Sequence, residues 1–83
     1  MGDRTFFWDF VGPRGEGTAV HFRKHLDEFL HREAVPGCST GVERLAPAHW
    51  AAWCRAPADV AEVVQRALRP RRHRDEPDRP EEP

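Results

Sequence analysis

Thr5-Phe6-Phe7-Trp8-Asp9-Phe10-Val11 runs directly into Gly12-Pro13-Arg14-Gly15-Glu16-Gly17, and that turn opens into an amphipathic stretch ending at Leu30. Phe6, Trp8 and Phe10 alternate with Phe7, Asp9 and Val11, which is the period-two pattern of a strand. The wholly aromatic set is expected to face a core, and the set carrying Asp9 to face solvent or a partner. Three glycines and one proline in the turn can continue neither strand nor helix. Thr18 is expected to cap the helix, its hydroxyl accepting from unsatisfied first-turn N–H groups. Ala19, Phe22, Leu26, Phe29 and Leu30 then fall on one helical face, and Val35-Pro36-Gly37 breaks the helix near Glu33 or Ala34.

Residues 38–45 and 49–55 read as a hairpin around Ala46-Pro47-Ala48, with Thr40, Val42, Trp50 and Trp53 favouring strand. The expected register sets Cys38 opposite Cys54, Val42 opposite Trp50 and Glu43 opposite His49. One face then holds Cys38, Thr40, Val42, Trp50, Ala52 and Cys54; the other holds Ser39, Gly41, Glu43, His49, Ala51 and Trp53. Pro57 suits the first turn of a second helix with Val60, Val63, Val64, Ala67 and Leu68 as its apolar stripe. Residues 70–83 hold no aliphatic or aromatic residue, so a disordered charged tail is expected there. The class is α+β: a ferredoxin-like split β-α-β of order βαββα, forming one domain over residues 1–69. Its three-stranded antiparallel sheet has the third strand in the middle and both helices on one face.

At 83 residues the chain has room for one small domain, which buries only ~60% of its unfolded surface. Its 13 Lys+Arg against 14 Asp+Glu argue against a dedicated nucleic-acid binder. No apolar run approaches the ~20 residues that span a bilayer, and Met1-Gly2-Asp3-Arg4 lacks the long apolar core of a signal peptide, so none is expected. Two cysteines do not make a disulfide scaffold. A cytoplasmic protein without membrane contact is expected.

Several residue sets carry candidate chemistry. Phe7, Val11, Ala51 and Trp53 are expected on the sheet face away from the helices, an apolar patch suited to a homodimer or another protein. Gly12, Arg14, Gly15, Gly17 and Thr18 could hold a small anionic ligand through turn N–H groups and the Arg14 charge. His21 and His25, four apart on the helix, have the spacing of a zinc chelate with Glu28 one turn on. Asp9, Glu43 and His49 could perform acid–base work. Cys38 and Cys54 read as small apolar core residues. Phe7 and Trp53 could stack bases, but no basic stripe is expected around them. The expectation is a non-catalytic regulatory or interaction module that self-associates through its sheet, with no metal, cofactor or catalytic residue assigned. The alternative is a small enzyme or metal protein using the Asp9, Glu43, His49 set or the histidine pair.

The strand ending at Val11, the turn closing with Gly17-Thr18 and the helix from Ala19 resemble the ACT-domain group of regulatory modules. Val42-Glu43-Arg44 and Trp50 to Arg55 add to the likeness, which covers residues 5–68. The resemblance implies pairing through sheets or helices and an amino acid bound at the interface by the first turn. The chain departs from that group in lacking an expected fourth strand after the second helix. A weaker resemblance, to acylphosphatases, rests on a glycine turn ahead of Phe22-Arg23; the chain contains no asparagine, so that activity is excluded.

Overall fold

The computed structural model describes residues 2–75. Six elements follow one another: β1 (Arg4–Val11), α1 (Gly15–Arg32), β2 (Ser39–Ala46), β3 (His49–Ala56), α2 (Ala58–Leu68) and β4 (Arg72–Asp75). They make an α+β fold whose four-stranded sheet has the order β2-β3-β1-β4, with every neighbouring pair antiparallel.

The fourth strand corrects the expectation of three. Arg72-His73-Arg74-Asp75 pairs with β1, setting Phe7 opposite Arg72 and Arg4 opposite Asp75. All four of its residues are exposed, so burial of its own side chains does not order it. Its contacts do. The Arg71 N–H donates to the Phe7 carbonyl at 2.9 Å. Arg4 pairs with Asp75 at 2.6 Å, and the His73 ring lies 6.3 Å from that of Phe6. Residues 76–83 of the expected tail lie outside the described residues.

Both helices lie on one face of the sheet, as the core shows. Phe6 and Trp8 of β1, Cys54 and Ala56 of β3, Leu26 and Leu30 of α1, and Ala61 and Val64 of α2 form one buried cluster. The Trp8 ring packs 4.9 Å from Phe22, while its indole N–H donates to the Leu68 carbonyl at 3.0 Å and ties β1 to the end of α2. The stripe of α2 is rotated from the expected one. Ala61 and Val64 are buried, whereas Val63 is 50% exposed, because the helix docks through its 60-61-64-68 edge.

The hairpin register is shifted by two residues from expectation: Thr40 sits opposite Cys54, Val42 opposite Ala52 and Arg44 opposite Trp50. An even shift leaves every side chain on its expected face. Cys38 precedes β2, yet packs against the core cluster. The ladder breaks between Arg44 and Ala46, so Leu45 is an extra residue in β2, a bulge just before the Pro47-Ala48 turn.

Helix α1 starts three residues earlier than Thr18. Arg14 precedes it and makes no side-chain cap. The Gly15 N–H bonds to Gly12 O at 3.1 Å, and the Gly12 N–H reaches Ala48 O at 2.8 Å. Thr18 therefore lies inside the first turns, where its N–H and its hydroxyl both donate to Arg14 O.

Candidate functional site

The sheet face away from the helices holds the alternate residues of each strand. Phe7 pairs with Trp53 on one side and Arg72 on the other, and Trp53 pairs with Gly41. Gly41, Trp53, Phe7 and Arg72 thus form one row across all four strands. One pleat toward one end, Ser39, Arg55, Thr5 and Arg74 form the next row; toward the other end lie Glu43, Ala51 and Asp9. An aromatic row is flanked by an arginine row and a carboxylate row.

The patch expected to be covered by a second copy or another protein is partly covered by the chain itself. Phe7 is only 5% exposed and Ala51 not at all, while Val11 is 75% exposed. The Arg72 guanidinium carbon stands 4.2 Å from the centre of the Phe7 ring and that of Arg74 5.6 Å, a cation–π cover. The Trp53 indole lies flat over Gly41: a Cβ there would stand 2.4 Å from the ring. A shallow groove of about 250 Å³ remains, lined by Thr5, Phe7, Glu43, Trp53, Arg55 and Arg74.

These arginines put basic groups beside Phe7 and Trp53, where no basic stripe is expected. Arg72 and Arg74 fall in the stretch expected to be a charged tail; their period-two spacing after Pro70 is the signal the sequence offers. They do not make the face basic, however. Arg72 forks onto Asp9, donating at 3.1 and 3.0 Å, Arg55 pairs with Asp3 at 2.9 Å, and Glu43 lies in the same groove.

The structure brings Asp9 and His49 together at 3.0 Å; Glu43 sits beyond Ala51 in the Asp9 row. The Arg72 guanidinium, aided by His49, holds the Asp9 carboxyl below its usual range against the opposing effect of partial burial. A carboxylate so stabilised and so fully engaged is a weak base. The thiols are no better placed for nucleophilic work. Burial raises the Cys38 thiol, and it pushes Cys54 up to about 12, so both are protonated near neutrality.

The five turn residues sit in different local settings. Gly12 has φ +102° and needs no neighbour's room, whereas a Cβ on Gly15 would stand 2.8 Å from Phe10 O. Gly15 is thus required for the close crossing of α1 over β1. Arg14, Gly17 and Thr18 are exposed, and the Glu16 carboxylate occupies the same first turn. Gly15→Ala is expected to cost ~1–3 kcal/mol through backbone displacement. Gly17→Ala, with nothing within 4 Å, is expected to gain ~0.5 kcal/mol of helix propensity. Thermal melts of the two variants should therefore move in opposite directions.

Among the described residues no helix is long and apolar enough to cross a membrane. Comparison with protein-family models, with curated proteins and with solved structures finds no match to this chain.

Proposed function

We propose that the chain is a small non-catalytic regulatory or interaction module that pairs with a second copy of itself through the open face of its sheet. The observation that carries this reading is the order of the rows. A two-fold axis laid along Gly41, Trp53, Phe7 and Arg72 places the arginine row of one copy over the carboxylate row of the other, and the reverse. Such self-complementarity is what an isologous dimer needs. A face of about 26 by 19 Å, from ~3.3 Å per residue and ~4.8 Å between strands, buries roughly 1,000 Å² in total, the lower bound for a specific interface. An interface of that size belongs with weak, reversible pairs.

The βαββαβ order and the strand order β2-β3-β1-β4 support a split β-α-β, ferredoxin-like assignment and the likeness to ACT-domain modules. In that reading, anion binding at the Gly12–Thr18 turn is a second role, and a cytoplasmic setting suits the two reduced thiols. Balanced charge on the face favours a second copy over a nucleic-acid strand.

Light scattering across ~1 to ~300 µM tests the pairing, since mass action must shift the mass from monomer towards dimer. A single-chain mass throughout that range would refute it.

A further inference from the structure

On α1, away from the open sheet face, two imidazoles converge. His21 Nε2 and His25 Nε2 stand 2.9 Å apart, with their rings nearly perpendicular at 85°. The i,i+4 spacing places both on one helix flank. His25 Nδ1 lies 3.2 Å from a Glu28 carboxylate oxygen. In the Nδ1–H tautomer of His25 that carboxylate accepts, and the Nε2 lone pair faces His21 Nε2, whose hydrogen bond to it a bound ion would replace; a carboxylate behind a ligating imidazole orients it and raises its basicity. All three side chains are exposed, so neither fold nor core employs them.

We propose that His21 and His25 form a two-imidazole chelate for a divalent transition-metal ion, with Glu28 as the group that orients His25. The bite selects the ion. Two nitrogens each ~2.0–2.1 Å from one ion and separated by the observed distance subtend about 90°. That is the cis angle of tetragonal Cu²⁺ or Ni²⁺; a tetrahedral ion needs the nitrogens further apart. Among the described residues no third His, Cys, Asp or Glu joins the pair, so water or a donor from another molecule completes the shell. The chelate is independent of the sheet: it requires neither dimerisation nor the open face.

Titration of the full chain with Cu²⁺ alone, in a non-coordinating buffer, tests this by calorimetry and by the nitrogen couplings in the electron paramagnetic resonance spectrum. One ion per chain with two imidazole nitrogens is expected. His21→Ala and His25→Ala should each weaken this binding by at least ~10-fold, because a chelate becomes a single ligand, and Glu28→Gln by about 10-fold. His31→Ala serves as the control and should leave it unchanged. Equal affinity in wild type and in the His21→Ala, His25→Ala double variant would overturn the proposal, as would a spectrum with couplings from a single nitrogen. Circular dichroism of each variant checks that α1 is intact, so loss of binding reads on the chelate.

Discussion

Ending the chain after Pro70 is expected to lower its melting temperature by more than 10 °C, or to leave it aggregated. Stopping after Asp75 keeps every contact described above and serves as the control. The shorter truncation strips Arg72 and Arg74 from the Phe7 ring, His73 from Phe6 and the guanidinium from Asp9. It also turns β1, a central strand, into an edge. Uncovering roughly 100 Å² of aromatic surface and breaking a bidentate ion pair costs ~2–4 kcal/mol. A chain of this size commands only roughly 4–12 kcal/mol in all, and each kcal/mol moves the melting point by ~4–8 °C. Thermal circular dichroism reads the result. An unchanged melt after the shorter truncation would mean that β4 contributes nothing to stability.

That strand marks the limit of what the residues disclose by themselves. Elsewhere local chemistry was a sound guide: aromatic alternation placed Phe6, Trp8 and Phe10 toward the helices, and Val35-Pro36-Gly37 ended α1. The hairpin slipped by two residues because it closes through the tight Pro47-Ala48 turn, which alone would shift the ladder by three; the Leu45 bulge takes one residue back, and the even remainder preserves both faces. Arg72-His73-Arg74-Asp75 has no apolar side chain and little strand propensity; its order comes from the Phe6 and Phe7 rings, the Asp9 carboxylate and Arg4, all far away in sequence. Such order is tertiary, and hydrophobic patterning does not encode it. The candidate site was half legible for the same reason. Phe7, Trp53, Asp9, Glu43 and His49 could be placed on one face, but their arginine cover could not.

The second large effect concerns pairing. Glu43→Arg sets a cation against Arg55 of the facing copy, and the two-fold axis repeats the repulsion; Arg55→Glu does the same with carboxylates. Each variant is expected to weaken self-association by ~10–100-fold. Both positions are exposed, so folding should change by no more than ~0.5 kcal/mol. Mixing the two variants is the decisive step. In the mixed pair each introduced charge meets its opposite, so association should return to within about threefold of wild type. Analytical ultracentrifugation of each variant and of the equimolar mixture measures this. Monomers that stay monomeric on mixing would remove the face-to-face arrangement.

The Leu45 bulge also bears on how far such an assembly can grow. It interrupts the outer ladder of β2, while the opposite border of the sheet is four charged or ionisable residues long. Neither rim offers a clean template for strand addition. In the proposed pairing, neither rim of the described sheet offers strand-by-strand growth, so a closed pair, short of fibres, is the expected end point.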